Sequence, residues 1–171
     1  METGINSLKD ILQLIIGLVG AGSLAVAAYS YYLSKKQLNF AVIINCTERF
    51  QKIFPQLKSE DEDEKLKAVK LYVDLCNEEL FYFKHKYLPD EIVDEWIDGM
   101  IYYLPHFKDG ENVNEDENYL KEIVEKSFLH DYPRIRESFT VSKKFNLAEG
   151  EERKELVEII KANLKRKNNQ K

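Results

Sequence analysis

From Ile11 to Leu33 the chain reads ILQLIIGLVGAGSLAVAAYSYYL, 23 residues without an Asp, Glu, Lys, Arg or His. No period of polar positions breaks the run, so a helix here is apolar all round. At about 1.5 Å per residue it reaches roughly 34 Å, against a hydrocarbon core of about 30 Å. The pattern predicts a transmembrane helix. Beyond Leu33 the pattern changes to helical faces. Leu38, Val42, Cys46, Phe50, Ile53 and Leu57 recur at steps of three and four, predicting that helix continues through 34–57 as a juxtamembrane stalk. A stalk of this kind transmits the span's orientation to whatever follows.

Residues 58–65, KSEDEDEK, read as a solvated acidic turn, with Ser59 the expected N-cap of the next helix. Over 62–87, Leu66, Val69, Val73, Cys76, Leu80, Phe83 and Tyr87 form a seam at three-four spacing. Tyr72, Leu75, Glu79 and Tyr82 form a second stripe beside it, as expected for a helix central to a bundle. A carboxylate among aromatic residues needs a partner, so Glu79 is expected to accept a hydrogen bond from Tyr or Lys, with ligand binding the alternative. Leu88-Pro89 marks a corner, and 89–104 is the antiparallel helix after it, Pro89 at its first position. Ile92, Val93, Trp96, Ile97, Met100, Ile101, Tyr103 and Leu104 are its apolar face. Residues 106–118 read as a polar loop, followed by a helix over 117–130 carrying Leu120, Ile123, Val124, Phe128 and Leu129 inward. A short helical piece starts at Pro133. Thr140 to Gly150 is a connector, and 151–167 is a last helix with Leu156, Ile159, Ile160 and Leu164 inward. No stretch alternates convincingly as a strand. The expected fold is all-α: residues 1–10 outside the membrane, 11–33 spanning it, 34–57 the stalk, 58–167 a cytoplasmic helical bundle, and 168–171 a polar tail.

Flanking charge sets the expected orientation. Tyr29, Tyr31 and Tyr32 suit the headgroup zone, and Lys35 and Lys36 follow at once, whereas the N-terminal flank offers only Glu2, Lys9 and Asp10. The bias places residues 34–171 in the cytoplasm of a bacterial-type inner membrane. Two rival readings are weaker. Ala25-Val26-Ala27 has the form of a leader cleavage site, but no positive cluster precedes the run and apolarity continues past it. The other rival, a buried core helix of a soluble protein, is weakened because this helix is apolar on every side. Within the span Gly17, Ala21, Ala25 and Ala28 share one face, with Gly20, Ser23, Ala27 and Ser30 beside it. Small faces let backbones approach closely in lipid, which predicts self-association into a homo-oligomer.

Charge and chemistry narrow the function classes. Residues 34–171 hold 24 basic residues against 28 acidic ones, which argues against coating a nucleic-acid polymer. Cys46 and Cys76 lie in apolar stretches without zinc spacing and read as reduced core thiols, a disulfide between them being the alternative. His85, His106 and His130 fall near predicted helix ends and are expected to be exposed or capping. Asn112, Asn114 and Asp116 mimic the start of a calcium loop, but Glu117 stands where glycine is required and Ile123 where the bidentate Glu belongs. No phosphate loop or nucleophile motif occurs, so neither metal nor cofactor is expected. Basic residues gather at Arg134, Arg136, Lys143 and Lys144, a candidate contact for a small anionic ligand, and again at Lys161 and 165–167.

With its aromatic-rich YVDLCNEELFYFKHKYLPDEIVDEW and YYLPHF ending, the stretch from Thr47 to about Pro105 resembles a family of small uncharacterised bacterial proteins. These have one N-terminal span and a cytoplasmic helical domain of unknown function. The resemblance implies that architecture for about a third of the chain and brings no catalytic residues. The expected function is a non-enzymatic, membrane-anchored interaction module meeting lipid, a protein partner and copies of itself. The alternative is a signal-gated membrane effector, for example in antiviral defence, binding a small anionic messenger through Arg134, Arg136, Lys143 or Lys144. An enzyme built on Glu79 and nearby tyrosines is a third and lesser reading.

Overall fold

The structure is a computed structural model that describes residues 2–108, 111–112, 131–142 and 150–166. It is mostly helical. Five helices are described: α1 (Glu2–Leu57), α2 (Glu62–Lys84), α3 (Asp90–Tyr103), α4 (Pro133–Ser138) and α5 (Glu151–Arg166). The chain divides into two compact units, one ending at Ala41 and one beginning at Val42.

In the first unit every residue from Leu8 to Leu38 is exposed, including Leu14, Leu18 and Leu24. Leu8–Leu57 holds the one candidate span among the described residues, and none of its apolar window is buried. Among the described residues nothing covers Ile11 to Leu33. By length and composition this helix could cross a membrane. Lys36 lies over the Tyr32 ring at 5.5 Å, joining the second of the two lysines that follow the run to its last aromatic group.

The second unit is built on the periodicities that the sequence displays. Val69, Val73, Cys76, Leu80 and Phe83 are buried along α2, and Tyr72, Leu75 and Glu79 are buried beside them. Leu66, the first residue of that seam, is 40% exposed. From α1 the core receives Val42, Cys46, Ile53 and Leu57; from α3 Val93, Ile97, Met100 and Ile101. Pairs along the helices fix their directions. Phe83 meets Trp96 and Tyr72 meets Tyr103, so α2 and α3 run antiparallel. Within the second unit Arg49 meets Glu78 and Phe50 meets Tyr72, which packs the end of α1 from Val42 onward against α2. Asp98 pairs with Arg153, and Asp94 with Lys161 at 2.6 Å, which lays α5 antiparallel along α3.

Helix ends explain where the elements stop. The N-cap of α2 is Asp61, not Ser59: its carboxylate accepts from the N–H groups of Asp63 at 2.9 Å and Glu64 at 3.1 Å. Ser59 instead accepts from the Asp61 N–H and donates to Glu64 at 2.6 Å, steadying the turn around the cap. At the other end Lys86 adopts φ 56°, and the N–H groups of Lys86 and Tyr87 return to the carbonyls of Phe83 and Tyr82. That is a Schellman ending with lysine in the position glycine prefers. Pro89 caps α3 rather than beginning it, one residue from the expected place.

A small sheet is an addition to the all-α expectation. Strands β1 (Phe107–Lys108), β2 (Glu111–Asn112) and β3 (Thr140–Val141) lie in the order β2-β1-β3, the first pair antiparallel and the second parallel. Asn163 of α5 donates to the carbonyls of Ser138 at 3.1 Å and Thr140 at 2.7 Å, fastening the α4–β3 junction to the last helix. The expected helix over 117–130, most of the calcium-like stretch and the tail at 168–171 lie outside the described residues.

Candidate functional site

Within the second unit α2, α3 and the part of α1 from Val42 onward line a cavity of about 270 Å³. Cys46, Thr47 and Phe50 come from α1, Tyr72 and Glu79 from α2, and Glu95, Trp96 and Gly99 from α3. Their exposure gives the cavity a direction. Cys46, Tyr72 and Glu79 are buried, Phe50 and Trp96 half-buried, and Thr47, Glu95 and Gly99 exposed. Cys46, Tyr72 and Glu79 thus form the buried part of the lining, Phe50 and Trp96 its half-buried walls, and Thr47, Glu95 and Gly99 its exposed edge. Phe50 and Tyr72 are tilted against each other at 6.0 Å, and Tyr72 meets Tyr103 edge-on at 5.6 Å, so the aromatic wall is braced from behind.

Glu79 is 7% exposed. The expectation that a Tyr or Lys would donate to it is not met. Tyr82 donates to Glu78 at 2.7 Å, and Arg49 donates to the same carboxylate at 2.5 Å. Among the described residues no hydrogen bond reaches Glu79. The two neighbouring carboxyls therefore move in opposite directions. Burial pushes Glu78 up, but the hydrogen bonds from Arg49 and Tyr82 outweigh it and hold the group below the ordinary range. Burial dominates at Glu79; Arg49 offsets part of it, Glu78 adds to it, and the carboxyl is raised to about 8. Cys46 and Cys76 are buried free thiols. Burial, reinforced by Glu79 and Glu78, pushes the Cys46 thiol up to about 12. Tyr72 and Cys76, one turn apart, share a hydrogen bond, and burial drives both well above their ordinary values. The cavity therefore holds no thiolate nucleophile near neutral pH.

The residues singled out for an anionic ligand are not gathered. Arg134 and Arg136 are exposed and two positions apart on α4, which places them on different sides of the helix. The Arg134 guanidinium lies over the Phe81 ring at 5.2 Å and borders a crevice of about 20 Å³ with Lys84 and Glu137. Lys143 and Lys144 lie outside the described residues. Gly17, Ala21, Ala25 and Ala28 are exposed on α1, and a Cβ added at Gly17 would meet nothing within 4 Å. His85 caps α2 and rests on Phe81 at 4.5 Å, as expected. His106 departs from expectation: it is 1% exposed, stacked parallel on Phe139 at 6.0 Å beside the small sheet. His130 lies outside the described residues. Among the described residues no group of three or more His, Cys, Asp or Glu is placed to hold a metal ion.

Compared with family models, curated proteins and solved structures, the chain matches none.

Proposed function

We propose that this protein is a single-span, membrane-anchored helical module whose body, residues 34–171, lies in the cytoplasm and meets a partner there. The observation that carries the reading is that every residue from Ile11 to Leu33 is exposed. Burying one Val, Leu or Ile side chain stabilises by about 1.5–3 kcal/mol. This stretch exposes ten of them, from Ile11 and Leu12 to Val26 and Leu33. Left in water, that surface forgoes well over ~10 kcal/mol, comparable to the whole stability of a domain. Lipid recovers it. Tyr29, Tyr31, Tyr32, Lys35 and Lys36 then mark the cytoplasmic boundary. The small-residue face of Gly17, Ala21, Ala25 and Ala28 supports self-association within the bilayer. The second unit supports the module reading because it buries a continuous core of its own. The effector alternative has less support, since Arg134 and Arg136 diverge on α4.

Topology tests the reading. In spheroplasts, added protease should leave the body intact, and permeabilisation should expose it to digestion. Digestion without permeabilisation would reverse the orientation. Glutamate at both Lys35 and Lys36 should weaken the preference, giving a mixed population.

A further inference from the structure

The cavity among α1, α2 and α3 has a composition that selects its occupant. Its buried lining carries the Glu79 carboxyl beside Cys46 and Tyr72, Phe50 and Trp96 add half-buried aromatic walls, and Glu95 is exposed at its edge. Among the described residues no Lys or Arg lines it. The nearest cation acting on Glu79, Arg49, is already committed to Glu78 at 2.5 Å. An anion would meet two carboxyls and no counter-charge. A purely apolar ligand would leave Glu79 buried beside it without a partner, which costs free energy. An organic cation satisfies every wall: aromatic faces attract it through their quadrupoles, and the carboxylate neutralises it. At about 270 Å³ the space is below the range of about 300–1,000 Å³ typical of drug-sized ligands, so the occupant has few heavy atoms.

We propose that this cavity binds a small organic cation, its ammonium group held among Phe50, Tyr72 and Trp96 with its charge met by Glu79. The assignment is independent of the membrane reading. Binding exchanges a proton for a cation. The empty site keeps Glu79 protonated up to about pH 8; an arriving ammonium favours the carboxylate, and the proton leaves to solvent. The other groups facing Glu79 hold their charge through this window. From α1, Cys46 stays neutral and Arg49 cationic; from α2, Tyr72 and Cys76 stay neutral and Glu78 ionised. Glu95 of α3, at the rim, adds a carboxylate exposed to water.

Trp96 is the sole tryptophan in the chain, so its fluorescence reports on the cavity directly. The test uses the full chain in detergent micelles, with choline as the probe and 3,3-dimethylbutan-1-ol, its uncharged isostere, as the control. Choline should shift Trp96 emission saturably with Kd on the order of 1–10 mM, and the isostere should bind at least about tenfold more weakly. Choline affinity should rise about tenfold per pH unit from about pH 6 to about pH 8 and then level off. Glu79→Gln should lose both the affinity and its pH dependence. Equal binding of the two probes, or no saturable response to choline, overturns the proposal. That comparison is made on the unaltered chain, so it decides the matter even if Glu79→Gln does not fold.

Discussion

Arg49 and Glu78 close an ion pair at 2.5 Å between α1 and α2, and the next residue along α2, Glu79, is left outside it. The two carboxyls point to different faces because consecutive helical positions diverge by about 100°. One meets a guanidinium and a tyrosine at the half-exposed seam; the other enters the cavity.

The pair makes a modest contribution to stability. Both side chains are a little over one-third exposed, so solvent screens the attraction. Arg49→Met should cost about 1 kcal/mol or less in chemical denaturation. It should also push the Glu79 carboxyl higher still, because Arg49 is the one neighbour that lowers it. A loss of several kcal/mol would mean that Arg49 also organises the α1–α2 contact.

Glu79 makes stability depend on pH with a defined sign. The unfolded chain releases this proton near 4.5, whereas the folded chain keeps it to about 8. Between those values the folded state binds more protons, so stability falls as pH rises through the window and levels off above it. Glu78 acts oppositely, its contribution being present above the ordinary carboxylate range and lost on acidification. Glu79→Gln removes the decline. Relative to the unaltered chain, it should gain a few kcal/mol between about pH 5 and about pH 8, read from urea titrations of Trp96 fluorescence. Parallel pH profiles for the two chains would contradict the buried placement of Glu79.

Lys86 ends α2 in a left-handed conformation that costs a non-glycine residue roughly 1–2 kcal/mol. Lys86→Gly should keep both closing hydrogen bonds and raise stability by about 1 kcal/mol, seen as a higher melting temperature. A lower melting temperature would show that the lysine side chain contributes more than its backbone costs.

The helical faces were legible because burial repeats at the helical period. Val69, Val73, Cys76 and Leu80 each follow by three or four residues, and Tyr72, Leu75 and Glu79 repeat the same spacing on the stripe beside them. The strands were not, since two residues such as Phe107–Lys108 or Thr140–Val141 are too short to display an alternation. Asp61 was hidden as a cap by its own neighbours: in KSEDEDEK several side chains can cap, and the turn after Pro55 decides among them. Glu79 stood out as a carboxyl among aromatic residues. Its site did not, because Cys46, Phe50, Glu95 and Trp96 reach it from two other helices, and that convergence is set by packing. A half-buried lone tryptophan opposite the carboxyl stripe was the available signal.

Lipid as the solvent of Ile11 to Leu33 is the claim beneath the proposed function, and alkaline carbonate extraction tests it most directly. Membranes from cells expressing the full chain are washed at high pH and centrifuged. The protein should stay in the membrane pellet and enter the supernatant only with detergent. Release into the supernatant by carbonate alone, as a detergent-free soluble species, would contradict the account.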